Sequence, residues 1–178
     1  MKEIMERRSY RQFEKTPVTA AQMEALFRAA MAAPSAGNQQ PWQFVAVTDP
    51  QIKEELSRVQ PWAGPCAAAP LVVALLADLS GAKYPAYWQQ DLAAATENLL
   101  LEAVSQKLGA VWMGIAPEED RMAKVAAILQ LPAGILPFAL VAVGTPIPNA
   151  AVRTPSGAGR YEPGRIFAER YGCPLRDA

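Results

Sequence analysis

The uninterrupted apolar run Leu71–Ala77 constrains the fold of this chain more than any other segment. The run has the length of a strand, and it leaves neither face of that strand polar. Such a strand has to be covered on both of its faces. The run therefore predicts an inner sheet strand with other elements of the chain packed against it.

Three more segments have the composition of strands, and helical patterns separate them. The other predicted strands are 43–47, 110–115 and 137–144, and the predicted helices are 3–8, 20–32, 50–59, 89–108 and 117–129. The chain has 178 residues, of which 51% are hydrophobic, so it has the length of one domain and enough apolar side chains for a core. These features predict a single α+β domain, residues 1–178, with about four sheet strands.

Two of the helices carry informative ends. Thr19 and Gln22 have the spacing of a capping box at the start of the helix 20–32. The helix 89–108 is apolar around most of its circumference, which predicts burial on several sides, either inside its own domain or across a subunit interface. Gly109 follows it, and we expect this glycine to end the helix at the C′ position.

The composition excludes several kinds of catalytic site. The chain contains no histidine, so His-based acid–base catalysis and Ser-His or Cys-His nucleophile pairs are excluded. Cys66 and Cys173 are the two cysteines, and neither has a partner at metal-ligand or CxxC spacing. We therefore expect no metal site and two passive thiols. The chemistry is expected to belong to a cofactor.

The charges balance overall, with 17 basic and 17 acidic residues, but both ends of the chain are cationic. Nucleic-acid binding usually needs a whole basic face, whereas cationic ends suit a small anion. No apolar run approaches the roughly 20 residues of a membrane helix, and the N-terminus lacks the apolar core of a signal peptide. We expect a cytoplasmic protein that binds neither nucleic acid nor membranes.

Two polar segments are candidate binding sites. Near the N-terminus, three guanidinium groups and a hydroxyl fall within five residues: Arg7, Arg8, Ser9 and Arg11. Because the guanidinium group contacts phosphate through two hydrogen bonds, the segment is a candidate phosphate site, with a solvated charged face as the alternative. The loop 32–44 is rich in small and amide side chains, which suit a neutral, heteroatom-rich ring, although a turn-rich connection would have the same composition.

The last 34 residues, 145–178, form a proline-rich tail that is poor in core-type residues until Tyr161. Disorder is one interpretation of this composition. The other is an arm that covers a partner subunit, because Tyr161, Ile166 and Phe167 alternate with arginines and could anchor it.

Six motifs follow one another in an order that resembles the FMN-dependent nitroreductase family. They are RRSYRQF, APSAGNQQPWQF, AAPLVVAL, LGAVWMGI, VGTP and GRYEPGRIF, and together they cover essentially the whole chain. The resemblance implies a central, mostly antiparallel sheet flanked by helices. It also implies a homodimer that exchanges its C-terminal arms and binds two FMN molecules at the subunit interface.

The resemblance also implies the residues around the cofactor. Arg7, Arg8, Ser9 and Arg11 would hold the phosphate and ribityl chain, together with Arg160 or, as second choice, Arg165. The partner subunit would contribute a loop to the flavin ring, with residues Pro34, Ser35, Ala36, Asn38 and Gln40. Met113 and Gly114 would lie against the ring, and Met113 occupies a position where members of the family often carry a glutamate.

The implied activity is transfer of hydride from NAD(P)H through FMN to a nitroaromatic, a quinone or a similar electrophile, by a ping-pong mechanism. No protein side chain is expected to act as a catalytic residue, since the flavin carries the chemistry. The alternative is a flavin-binding storage or sensor protein with little turnover. The apolar Met113 and the absence of a long helical insertion in the second half of the domain motivate that alternative.

Overall fold

A four-stranded antiparallel sheet forms the centre of the molecule. The structure is a computed structural model, and it describes residues 2–148 and 160–174. The strands lie in the order β1-β2-β4-β3, and every neighbouring pair is antiparallel. Their bounds are Trp42–Val47 (β1), Leu71–Asp78 (β2), Gly109–Gly114 (β3) and Ile135–Gly144 (β4). The four predicted strands and the α+β class are confirmed.

Helices cover both faces of the sheet, as the apolar β2 requires. The odd-numbered residues of β2 pack with α2 and α5, and its even-numbered residues pack with α3, α4 and α6. Because both faces are covered, β2 is buried along seven of its eight residues. The helix bounds are Lys2–Glu6 (α1), Ala20–Met31 (α2), Pro50–Leu56 (α3), Pro65–Ala68 (α4), Trp88–Ser105 (α5) and Glu119–Ile128 (α6).

Several helix boundaries differ from the prediction. The capping box at Thr19 and Gln22 is present, and α2 begins where it was expected. The helix expected to open at Pro117 begins two residues later, and α1 ends at Glu6 rather than at residue 8. The short α4 lies in a proline-rich stretch where the sequence shows no regular pattern.

The prediction that Gly109 ends the long helix is wrong. The residue with left-handed backbone geometry is Lys107, with φ +59°, and the N–H of Leu108 donates to the carbonyl of Ala103 at 2.7 Å. The N–H of Lys107 also donates to the carbonyl of Val104 at 3.0 Å, and the two bonds define a Schellman motif with Lys107 at C′. Gly109 is instead the first residue of β3.

Close packing explains the glycine at 109. A Cβ atom there would lie 2.8 Å from side-chain atoms of Tyr10 and of Pro146. The N-terminal segment runs along the edge of β3 in a parallel bridge between Ser9 and Ala110, and the N–H of Tyr10 donates to the carbonyl of Ala110 at 3.1 Å. Gly109 thus lets the arginine-rich segment lie directly against the sheet.

Only part of the predicted arm is described. In residues 160–174, Pro163–Arg165 forms a 3₁₀ turn, and the rings of Phe167 and Tyr171 pack at 4.6 Å. Tyr161 and Tyr171 are largely exposed. The rest of the arm, residues 149–159 and 175–178, lies outside the described residues. Within the described ranges, no helix has the length and apolar character that crossing a membrane requires.

We expect Gly109→Ala to lower the free energy of unfolding by about 1–3 kcal/mol, because the methyl group forces Tyr10 and Pro146 apart. Gly81→Ala is the matched control, since no atom lies within 4 Å of a Cβ at that position. Urea unfolding of both variants measures the difference. Equal stabilities for the two variants would show that the N-terminal segment moves away from β3 without cost.

Candidate functional site

A cleft of about 660 Å³ opens at the β3 edge of the sheet. Its walls come from the N-terminal segment, the connection between α3 and α4, β3 and the first turn of α6. The lining residues are Arg11, Gln12, Gln60, Pro61, Trp62, Gly64, Pro65, Val111, Trp112, Met113, Gly114 and Arg121. Two of these residues are arginines, and no aspartate or glutamate lines the cleft among the residues that the structure describes. The cleft is therefore suited to an anionic ligand.

The floor of the cleft is apolar and chemically inert. The Met113 side chain is 4% exposed, and its Sδ lies 3.9 Å from Sγ of Cys66. Burial raises the pKa of the Cys66 thiol to about 12. Because the thiol stays protonated at neutral pH, it is no nucleophile. This supports the expectation that Cys66 is passive, and it places the Met113 side chain in the core.

Gln60 fixes the backbone at the end of β3. This side chain is 8% exposed, and its Nε2 donates to the carbonyl of Gly114 at 2.9 Å. Gly114 is exposed, and no atom lies within 4 Å of a Cβ built there. A planar ligand can therefore approach the Gly114 backbone closely, on a segment that Gln60 holds in place.

The arginines of the N-terminal segment have different surroundings. Arg7 forms an ion pair with Glu97 of α5 at 3.5 Å, and the guanidinium of Arg11 donates to the carbonyl of Ser9 at 3.2 Å. Arg8 is half-buried, and it forms no ion pair with any of the described residues, 2–148 and 160–174. The structure thus brings Arg11, Met113 and Gly114 to one cleft, with Arg8 and Ser9 close by along the same segment.

The loop between α2 and β1 is held by a carboxylate that the sequence analysis missed. Asp91 of α5 is 4% exposed, and it accepts hydrogen bonds from the Ala36 N–H at 2.8 Å and from Gln39 Nε2 at 2.6 Å. The Gln39 amide also exchanges two hydrogen bonds with the backbone of Tyr84. Gln39 therefore shapes the loop, whereas the exposed Asn38 and Gln40 remain available to a ligand.

Left-handed backbone geometry turns this loop outward. Gly37, Asn38 and Gln40 have φ of +53°, +55° and +48°. At Gly37 a Cβ would lie 2.4 Å from the Tyr84 ring, so no side chain fits there. Ser35 stabilises the turn, because its Oγ accepts a hydrogen bond from the Gln40 N–H at 3.0 Å.

Within one chain, the two predicted groups of ligand-binding residues lie at opposite edges of the sheet. The loop with Pro34, Ser35, Ala36, Asn38 and Gln40 leads into β1, whereas Arg7–Arg11 lie beside β3. Three strand spacings, roughly 14 Å, separate those edges. In the described part of the arm, Arg165 pairs with Glu162 at 2.5 Å, and Arg160 is exposed.

Comparisons with known proteins agree with this architecture. Residues 4–63 and 63–145 match the Nitroreductase family. A protein of Archaeoglobus fulgidus, provisionally named NADH dehydrogenase/NAD(P)H nitroreductase, is 35% identical over 96% of this chain and 98% of its own length. The chain belongs to the nitroreductase family.

Solved structures have the same fold. A protein of Clostridium acetobutylicum, provisionally named NADH oxidase, is 41% identical with a TM-score of 0.89, over 95% of this chain and 99% of that one. A provisionally named nitroreductase of Desulfovibrio desulfuricans, crystallised with FMN, is 26% identical with a TM-score of 0.73, over 86% of this chain and 90% of that one.

Sequence reasoning missed three polar residues of the site: Gln60, Asp91 and Arg121. Gln60 lies in a stretch without periodicity, so no pattern marks it. Asp91 interrupts the apolar face of the long helix 89–108, and a carboxylate at such a position is a usable signal, since buried acids are usually paired. Arg121 looks like an ordinary surface residue of α6 until the cleft beside it is known.

We expect Asp91→Asn to lower the free energy of unfolding by about 1.5–3 kcal/mol, because the single oxygen of asparagine can accept only one of the two hydrogen bonds and leaves an NH₂ group against the other donor. Glu102→Gln on the same helix is the matched control, since the Glu102 side chain bonds only to the Gln106 side chain among the described residues. Urea unfolding reports the difference. Equal stability of the two variants would show that Asp91 does not hold the loop.

Proposed function

We propose that the protein is an FMN-dependent oxidoreductase that transfers hydride from NAD(P)H to nitroaromatics, quinones or similar electrophiles. The observation that carries the proposal is the cleft at β3, which joins two guanidinium groups to an exposed glycine backbone and has no carboxylate among its described lining residues. Family membership and the FMN complex of the Desulfovibrio relative support it.

The residues of the cleft fit FMN. A volume of about 660 Å³ lies within the usual range for small-molecule sites. Arg8 and Arg11 would bind the phosphate and ribityl chain with Arg7 and Ser9, and an arginine of the arm, Arg160 or Arg165, would complete that end. The Arg7 pair with Glu97 is half-exposed and therefore weak, so a phosphate could displace the carboxylate.

When bound, FMN accepts hydride from NAD(P)H and passes the electrons to the acceptor. The chain then has to bind, orient and shield the reactants. Gly114, held by Gln60, leaves room for a planar ring, and Met113 closes the floor against Cys66. Fixed N–H groups and the positive charges of the site would stabilise the negative charge that develops on reduction. No protein nucleophile is needed.

The opposite positions of the two residue groups support a homodimer with shared sites. One chain would supply Arg7–Arg11 and Gly114, and its partner would supply Asn38 and Gln40. Exposed apolar side chains on α1 and α2, namely Ile4, Met5 and Met31, and the exposed aromatics of the arm are available to cover such an interface.

The function is tested by mixing the purified flavoprotein with NADH or NADPH in a stopped-flow spectrometer. We expect rapid bleaching of the flavin absorbance, and parallel lines in double-reciprocal plots of donor against nitroaromatic or quinone, because one cleft serves both reactants in turn. Intersecting lines would contradict the ping-pong mechanism. Bound FMN that neither donor bleaches would favour a storage or sensor protein.

The phosphate site is tested by comparing FMN with riboflavin. We expect Arg8→Ala or Arg11→Ala to weaken FMN binding by about 1.5–3 kcal/mol each, because each change removes a charge-assisted hydrogen bond. Riboflavin, which lacks the phosphate, should lose little affinity. Fluorescence titration measures both ligands, and an equal loss for both would show that these arginines do not bind the phosphate.

Shared sites predict complementation between two defective variants. Arg8→Ala/Arg11→Ala removes the cations, and Asn38→Gly/Gln40→Gly removes the loop amides, with glycine suited to the positive φ at both positions. When the two variants are unfolded together and refolded, each mixed dimer regains one intact site, so activity should exceed that of either variant refolded alone. Mixtures without this gain would show that each site lies within one chain.

A further inference from the structure

We propose that Arg121 binds the pyrophosphate group of the dinucleotide donor in a groove that continues from the cleft. This inference rests on the proposed function, because it requires NAD(P)H as the donor. Arg121 lies in the first turn of α6, is half-buried, and lines both the cleft and an adjoining groove of about 650 Å³ between α3 and α6. The two cavities also share Gln60, Pro61 and Gly64.

Arg121 lies where it could contact the part of the donor that does not stack on the flavin, namely the pyrophosphate and adenosine. The nicotinamide has to reach the ring beside Gly114, so the pyrophosphate and adenosine have to leave the cleft. The adjoining groove can hold the pyrophosphate and adenosine outside the cleft, and Arg121 lies where the two cavities meet. A guanidinium group there can donate two parallel hydrogen bonds to phosphate oxygens.

The charges around the groove single out Arg121. Arg58 is paired with Glu54 at 2.6 Å, and Lys124 is paired with Asp120 at 2.6 Å. Glu118 is the remaining acid of the groove, and it is exposed. The Arg121 side chain forms neither an ion pair nor a hydrogen bond with any residue in the described part of the chain, so its charge is uncompensated at contact distance.

The experiment compares two hydride donors on the FMN-loaded protein. NADH carries the pyrophosphate, and 1-benzyl-1,4-dihydronicotinamide has the same reacting ring without any phosphate. In stopped-flow reduction, we expect Arg121→Ala to raise the half-saturating concentration of NADH by roughly 10- to 100-fold. Reduction by the benzyl donor should not change. Arg121→Lys should recover part of the affinity, because it keeps the charge and loses the two-pronged contact.

Arg28→Ala is the matched control, since it also removes one guanidinium group but lies on α2, on the other face of the sheet, where Arg28 pairs with Glu24. It should leave the reduction of the flavin by both donors unchanged.

Calorimetric titration with ADP-ribose, which has the pyrophosphate but no nicotinamide, gives a readout independent of turnover. Arg121→Ala should weaken ADP-ribose binding by the same factor as NADH. If Arg121→Ala does not fold, Arg121→Gln replaces it in both measurements.

Three results would overturn the proposal. Equal losses for NADH and the benzyl donor, together with a lower midpoint potential of the bound flavin, would place Arg121 at the flavin itself. Unchanged NADH and ADP-ribose binding would show that the pyrophosphate lies elsewhere. If neither donor reduces the wild-type flavin, the proposed function is wrong and this assignment falls with it, an outcome visible before any variant is made.

Discussion

Burial of β2 on both faces is the constraint on which the rest of the structure depends. An apolar strand of this kind costs free energy unless helices cover each face, and a fully buried Leu or Val side chain contributes about 1.5–3 kcal/mol. Leu71, Val73 and Leu75 meet α2 and α5, while Val72 and Leu76 meet the helices of the other layer. Because helices cover both faces, the binding residues lie at the two edges of the sheet.

The two edges are used differently. At β3 the N-terminal segment forms a parallel bridge with the edge of the antiparallel sheet, and Gly109 leaves the room for it. This contact brings Arg11 to the cleft beside Gly114. At β1 the incoming loop is turned outward by positive φ values and is tied to α5 through Asp91. The scaffold therefore presents cations at one edge and neutral amides at the other, an arrangement suited to a site shared between two copies.

The polar residues that support the site are buried or partly buried, and they act on the backbone. Asp91 and Gln39 hold the loop, and Gln60 holds the Gly114 carbonyl. Such bonds shape a site before any ligand arrives, which reduces the ordering cost of binding. The apolar floor of Met113 and Cys66 adds no reactive group, consistent with chemistry supplied by a cofactor.

Local patterns in the sequence were sufficient for the four strands, the five predicted helices and their order, but not for the short α4. The strand at 71–77, the capping box at Thr19 and the long apolar helix each depend on neighbours in the chain, so a single sequence reports them. The nitroreductase family was evident too, because its motifs occur in order along the chain. Only the tertiary structure decided which residues meet: that Lys107 rather than Gly109 ends α5, that Asp91 reaches the loop 55 residues earlier, and that Arg121 faces two cavities. The contacts of Asp91 and Arg121 join residues far apart in the chain, and no local periodicity encodes such distances. Gly109 likewise belongs to the sheet because Tyr10 and Pro146 pack against it.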